Sequence, residues 1–385
     1  MNQKNQRNQE NNTNSQKLHI LEVNKFYPPH VGGIETVIAQ RADDLAARPD
    51  VELKVLVCQE RGKGITEQKS RNFELIRCAS AGVFCSCPVS LEFFRKFAAL
   101  IRWADVIEFH TPFPLGDLAC LLSHCQCRVV VSWHSDVIRQ KRLLKFYQPI
   151  LKKFLRRADC IITATEGHIQ SSAFLPAFRD KCRIIPYPVK IPDYETIEYK
   201  PVLRKKLRNP AHIKLLFVGR FVYYKGIDVL LKAFRQVHNC ELFLCGTGIL
   251  EAELRSLAEN LDVHFLGKLS DAELKAAFAD CDIFVLPSVQ NSEAFGIVQQ
   301  EAMIYGKPVI NTNLPTGVPY VSIHGETGLT VEPEDVQGLA DAIQMLADSP
   351  KLRKIYGENA RKRVCDCYES NRIMQEVYEV LCGNY

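Results

Sequence analysis

Short apolar runs alternate with amphipathic stretches along most of the chain, and the two periodicities predict two series of strands and helices. In the first half, strand-like runs fall at 18–24, 51–58, 73–78, 105–110, 128–134, 159–164 and 182–186. Helical spacing follows several of them, notably at 34–47 and 143–157. Polar, Pro-rich sequence at 187–210 then interrupts the pattern and reads as a linker. A second series has strands at 213–218, 241–245, 263–266, 283–287 and 308–311, separated by helices at 226–237, 249–260, 271–278 and 295–305. Helical patterns fill 335–381. Such alternation predicts an α/β protein with parallel, doubly wound sheets. Two Rossmann-like domains of this kind, facing each other, leave a central cleft at the carboxyl ends of their strands.

Length agrees with two domains, since 385 residues exceed what one hydrophobic core organises. The expected division is an N-terminal domain at 18–190, a linker at 191–212 and a C-terminal domain at 213–365, with a final helical segment at 366–385. Residues 1–17 are almost wholly Asn, Gln and charge, too polar to bury themselves, and are expected to be a disordered tail. That tail offers no apolar stretch for a signal peptide, and no run approaches the roughly 20 apolar residues that cross a bilayer. A cytoplasmic protein is therefore expected, and its fifteen cysteines read as reduced thiols rather than a disulfide framework. The spacings Cys85–Cys87, Cys125–Cys127 and Cys365–Cys367 are one residue tighter than most zinc ligand pairs.

A net charge of +5 does not by itself imply nucleic acid, and none is expected as a partner. Its distribution says more. Eight basic residues and no acidic one fall within 137–158, interleaved with apolar residues at helical spacing, although Pro149 should break the helix. The stretch 139–157 fits either an anionic membrane surface or a packed helix with a solvated basic face.

Three strand-to-helix turns carry the candidate chemistry. In the first, Gly32 and Gly33 open a helix, where backbone amides approach an anion without steric hindrance. In the second, Arg220 leaves a strand end and Lys225 sits at the next helix start, a fork and a point charge suited to a diphosphate. In the third, Glu293 lies just before a helix that begins near Phe295, whose first-turn amides, those of Gly296, Ile297 and Val298, are expected to face a phosphate. Glu301 follows on the same side, fit to accept hydrogen bonds from vicinal hydroxyls. Each turn alone reads equally well as an ordinary surface feature. Together they predict a sugar nucleotide.

Arg220, Lys225 and the pair Glu293…Glu301, with seven residues between the glutamates, resemble the signature of retaining GT-B glycosyltransferases of family 4. Gly32-Gly33 matches the family's glycine loop. Trp133-His134-Ser135-Asp136 and His110-Thr111-Pro112 match its N-domain histidine motifs. The phrase at 292–321 is similar to that of bacterial O-antigen and exopolysaccharide mannosyltransferases. The resemblance implies that Arg220 and Lys225 stabilise the leaving diphosphate, that Glu293 holds the transferred sugar and Glu301 the ribose, and that His134 sits beside sugar and acceptor. It implies retention at the anomeric carbon, GDP-mannose as donor and a lipid-linked oligosaccharide acceptor at the inner face of the cytoplasmic membrane. It also implies that the final helix crosses back onto the first domain. No cofactor and no metal are expected, because Asp280 and Asp282 precede their strand and stand away from the cleft.

Three other readings compete. A UDP-sugar donor, a sugar-nucleotide epimerase or a phosphorylase fits the same architecture. A nicotinamide-dependent oxidoreductase would use Gly246-Thr247-Gly248, but Glu251 stands where the third glycine of that fingerprint belongs. A non-enzymatic membrane-surface protein explains the basic stretch and leaves the four charged residues unexplained.

Overall fold

The computed structural model describes residues 17–30, 33–136, 141–195 and 201–384, with side chains left out at 141–144. Residues 1–16 of the expected polar tail, Gly32 of the glycine turn and Arg139 of the basic stretch lie outside the described residues. By contacts the chain divides into two compact units, one of Met1–Ser132, Tyr147–Asp159 and Tyr378–Tyr385, the other of Trp133–Phe146 and Cys160–Val377.

The first unit is built on β1 (Leu18–Val23), β2 (Val51–Cys58), β3 (Ile65–Ser70), β4 (Phe73–Cys78), the small hairpin β5 (Val83–Phe84) and β6 (Cys87–Pro88), β7 (Val106–Thr111) and β8 (Arg128–Trp133). Its sheet runs β8-β7-β1-β2-β4-β3, parallel except for β3 at the edge. Strand β3 is exposed along its length and polar, so no apolar alternation announces it in the sequence. Helices α1 (Gly33–Ala46), α2 (Leu91–Leu100) and α3 (Pro114–Leu122) cover the sheet. A chain of phenylalanine rings, Phe93, Phe97, Phe109, Phe113 and Phe154, has centroids 5.1–6.1 Å apart and fills the core between them. Phe154 comes from α4 (Lys141–Arg157), which runs straight through Pro149. The expected break does not occur: the proline sits on the exposed face, while Leu151, Phe154 and Leu155 anchor the other face in the core. At the chain's end the Tyr378 hydroxyl donates to Asp50 Oδ2 at 2.5 Å, and the Arg48 guanidinium lies 3.6 Å over its ring.

The second unit holds the parallel pair β9 (Cys160–Thr163) and β10 (Cys182–Ile184), with α5 (Glu166–Ser171) and α6 (Pro192–Glu195). Its main sheet contains β11 (Ile213–Val218), β12 (Cys240–Cys245), β13 (Val263–Gly267), β14 (Ile283–Leu286), β15 (Val309–Thr312) and β16 (Gly328–Val331). These are all parallel, in the order β13-β12-β11-β14-β15-β16, the doubly wound arrangement that the strand–helix alternation predicts. One apolar cluster lies under α7 (Ile227–Phe234), α8 (Glu251–Leu257) and α12 (Val336–Asp348). The other lies under α9 (Asp271–Asp280), α10 (Val298–Ile304), α11 (Val318–Val321) and α13 (Pro350–Tyr368). The last helix is α14 (Ser370–Cys382).

Part of the expected linker is docked rather than free. Leu203 is fully buried, the amides of Leu203 and Arg204 both donate to Asp280 Oδ2 at 2.8 Å, and those of Arg208 and Asn209 donate to Glu241.

Gly246 and Gly248 serve packing. A Cβ on Gly246 would stand 1.9 Å from the Gly219 carbonyl oxygen, and one on Gly248 2.3 Å from that of Phe221. The turns after β11 and β12 thus touch backbone to backbone, with Phe221 N–H donating to Thr247 O at 2.9 Å. Gly246→Ala, which also meets a φ of +135°, should destabilise the protein by at least about 2 kcal/mol in urea melts. Gly33→Ala, where a Cβ meets nothing within 4 Å, should leave the midpoint nearly unchanged.

Candidate active site

The turn after β11 crosses directly over the end of β14. Gly226 has φ +64°, and a Cβ there would fall 2.1 Å from the Pro287 carbonyl oxygen, so only glycine allows the crossing. This approach brings Lys225 to the 287–293 loop, where its ammonium makes a close ion pair with Glu293 Oε2. The Ser288 hydroxyl donates to the same oxygen at 3.0 Å, and Thr312 Oγ1 donates to the Ser288 carbonyl at 2.6 Å. Lys225 and Glu293 are only 8% and 9% exposed, so each is the other's condition for being charged there. Gly219 has no side chain to fill the space beside the ammonium: a Cβ would lie 3.6 Å from Lys225 Nζ.

Arg220 is exposed and belongs to the same neighbourhood. Its Nη2 donates to the Tyr224 hydroxyl at 3.2 Å, Val289 N–H donates to the Tyr224 carbonyl at 2.8 Å, and Lys225 Nζ stands 5.7 Å over the Tyr224 ring. Lys225 and Glu293, far apart in sequence, therefore meet, and Arg220 joins their neighbourhood through Tyr224.

The third turn differs from expectation in one respect. Helix α10 begins at Val298 rather than near Phe295, because Gly296 adopts φ +74° and turns the chain first. Gly296 and Ile297 therefore precede the helix instead of forming its first turn. The amides of Gly296, Ile297 and Val298 make no hydrogen bond among the described residues, whereas those of Gln299, Gln300 and Glu301 are taken by the Gly296 and Ile297 carbonyls. Three adjacent donors remain, without a long helix dipole behind them.

Two buried glutamines, which the sequence reading passed over, hold this loop. Gln299 Nε2 donates to the carbonyls of Phe295 and Val318, at 3.1 and 3.3 Å, while its Oε1 accepts from Asn311. Gln300 Nε2 donates to the Tyr187 carbonyl at 3.0 Å. The only signal in the sequence was polarity in an otherwise apolar helical strip.

His134, at the end of β8, is buried, and its Nδ1 pairs with the Tyr187 hydroxyl at 2.6 Å with the rings stacked. The Tyr187 ring in turn meets Phe295 edge-on at 4.8 Å. Phe295 is itself core, between Tyr187 and Tyr368, so it presents only backbone to a ligand. Asp136 fixes the segment after His134 by accepting from Ser172 Oγ and Ala173 N–H. His168 was also missed. It is buried, bonded through Nδ1 to Thr165 Oγ1 at 2.8 Å, and a Cβ on Gly317 would lie 2.6 Å from its ring; burial lowers its pKa to about 4.

Glu301 accepts from the Tyr194 hydroxyl at 3.3 Å, and burial raises its pKa to about 7 against the opposing pull of that bond. Gly33, in the first unit, is the exposed first residue of α1. Asp280 is spent on the amides of 203 and 204, and Asp282 Oδ2 accepts from Lys214 N–H and pairs with Lys214 Nζ at 2.9 Å.

Solved structures share this fold. Sucrose-phosphate synthase from Thermosynechococcus elongatus superposes with a TM-score of 0.76 at 23% identity, covering 94% of this chain and 98% of its own. HepE from Anabaena, solved in complex with UDP, gives 0.75 at 20% identity, covering 95% and 100%. The architecture is GT-B, two Rossmann-like domains with parallel sheets. Residues 31–191 match the family model "Glycosyltransferase Family 4", and residues 200–363 match "Glycosyl transferases group 1". O-antigen chain mannosyltransferase C of Escherichia coli is 31% identical over 365 residues, 93% of this chain and 96% of that protein. D-rhamnosyltransferase WbpZ of Pseudomonas aeruginosa is 38% identical over 287 residues, 72% and 73% respectively. The chain belongs to glycosyltransferase family 4.

Tyr187→Phe keeps the ring contacts and removes the bond to His134, so stability should fall by only about 1 kcal/mol while the nitrogen NMR shifts of the His134 imidazole change. Glu301 binds its proton more tightly folded than unfolded, so its contribution to stability is full below about pH 4.5 and is lost as pH rises towards about 7. The decline in unfolding free energy across that window should be smaller in Glu301→Gln.

Proposed function

We propose that this glycosyltransferase moves a manno-configured hexose from a guanosine diphosphate sugar to a lipid-linked glycan in cell-surface polysaccharide synthesis, retaining the anomeric configuration. The observation that carries the reading is the buried Lys225–Glu293 pair at the ends of β11 and β14, with Arg220 linked through Tyr224 and three unbonded amides a few residues beyond Glu293. Breaking the sugar–phosphate bond puts charge on the departing diphosphate, and fixed cations and amides receive it where water is scarce. No metal is needed at that position. Residues 18–190 form the acceptor side and 213–365 the donor side in this reading.

Lys225 is held by Glu293 at rest and shares its ammonium with a phosphate oxygen when the donor binds. Glu293 then accepts from the sugar's hydroxyls and Glu301 from the ribose diol, with Tyr194 giving way. The amides at 296–298 donate to phosphate or sugar, and His134, fixed by Tyr187, stands beside sugar and acceptor. The acceptor hydroxyl attacks the anomeric carbon from the face that the diphosphate leaves. The bond to the phosphate oxygen breaks as the new glycosidic bond forms, and that oxygen takes the acceptor's proton.

The relatives' names support a manno configuration in particular, since D-rhamnose is D-mannose without its 6-hydroxyl. A D-rhamnose donor is therefore the second reading. No helix among the described residues is long and apolar enough to cross a membrane. Contact with an anionic inner membrane face would use α4, where Lys145, Lys153 and Arg156 are exposed and Phe146 is 83% exposed.

Thermal shifts with GDP-mannose, GDP-D-rhamnose and UDP-glucose test the donor, because a ligand at a hundred times its Kd adds about 2.7 kcal/mol. Lys225→Ala and Glu293→Ala should each cut transfer at least about 100-fold. Each single change strands a buried charge, so the double variant should regain stability without regaining transfer. Near-normal turnover in the single variants would end the assignment.

A further inference from the structure

The core of the first unit contains a group of charges that sugar transfer does not use. Glu22 of β1 lies opposite Glu108 of β7 in the parallel register, and His110 follows two residues later on the same face. Their exposures are 0%, 0% and 1%. Glu108 Oε1 is fully engaged, accepting from Arg41 Nη2 at 2.6 Å and from Ser132 Oγ at 2.5 Å, while Arg41 Nη1 donates to the same hydroxyl at 3.3 Å. Glu108 Oε2 and both oxygens of Glu22 have no hydrogen-bond partner. One ligand atom from each of the three residues lies within 4.8 Å of the others, the one group with that spacing among the described residues.

A buried carboxylate with nothing to answer it is costly. Arg41 answers Glu108, which leaves Glu22. These unpartnered oxygens stand with a ligand atom of His110 inside a 4.8 Å span, close enough for the three residues to gather around a small ion, whose bonds to oxygen and nitrogen run about 2.0–2.2 Å. Two carboxylates with an imidazole form a donor set for a first-row transition ion rather than for calcium or magnesium, which take oxygen alone. Arg41 and Ser132 hold Glu108 Oε1, which stands 4.0 Å from His110 Nε2, and such hydrogen bonds fix the orientation of a ligating carboxylate.

We propose that Glu22, Glu108 and His110 bind one divalent transition-metal ion, zinc or manganese, as a structural centre that fastens β1 to β7. The ion lies in the core and takes no part in diphosphate departure, so this proposal stands or falls independently of the transfer reading.

The test uses the full chain, expressed with zinc or manganese in the medium and desalted. Mass spectrometry should find about one ion per chain in the wild type and background in Glu22→Gln, whose neutral amide relieves the buried charge and preserves the fold. Protein unfolded with a chelator and refolded should gain thermal stability on adding Zn2+, Mn2+ or Co2+, with a visible cobalt absorption band. Both effects should vanish in Glu22→Gln. Ser132→Ala should weaken the apparent Kd roughly 10- to 100-fold. Metal content equal in wild type and Glu22→Gln would place the ion elsewhere, among the thiols, and overturn the proposal. So would metal-free wild type whose melting none of the three ions shifts, since Glu22 is then a protonated carboxyl.

Discussion

The second unit is organised around one buried ion pair. Lys225 and Glu293 come from turns 68 residues apart, and neither is tolerable at its depth without the other. Everything that lets them meet is backbone geometry: Gly226 in the left-handed region, passing over Pro287, and Gly219 leaving room beside the ammonium. Ser288 shares the carboxylate, and Thr312 of β15 holds the Ser288 carbonyl, so the pair is tied to the carboxyl ends of β14 and β15. Both charges are thereby held in place with little access to water.

Much of this was legible in the sequence. The strand series emerged because buried parallel strands read as uninterrupted apolar runs, and all five expected strands of the second series appear. The sheet's sixth strand, β16, escaped because it is four residues long and begins with Gly328, placed where a Cβ would meet the Val309 carbonyl oxygen at 1.8 Å. The charged site residues were legible as types at spacings. Their partners were not. Tyr187 and Tyr194 sat inside a stretch that composition marks as linker, yet one bonds His134 and the other Glu301. Pairing between segments 53 and 107 residues apart leaves no periodic trace.

The glycines illustrate how one residue type serves two physical ends. Gly246 and Gly248 look like the start of a dinucleotide fingerprint, but their missing side chains are filled by the backbone of 219–221. That contact holds the Arg220 turn against the β12 turn, so the rival reading's strongest motif turns out to support the cation site. Gly33 differs, since nothing of the protein occupies the space a Cβ would take. A glycine whose vacancy the protein fills is there for packing.

The same distinction separates the buried histidines. His168 is surrounded by Thr165 and the Gly317 backbone, and burial keeps it neutral, which suits a packing role. His134 is held through Nδ1 by a tyrosine whose own ring rests on Phe295 and whose carbonyl rests on Gln300. The residue that positions this histidine is thus positioned by the loop that carries Glu293 and the unbonded amides. His134 and the 293–300 segment are thus packed through Tyr187 as one assembly, so the position of either depends on the other.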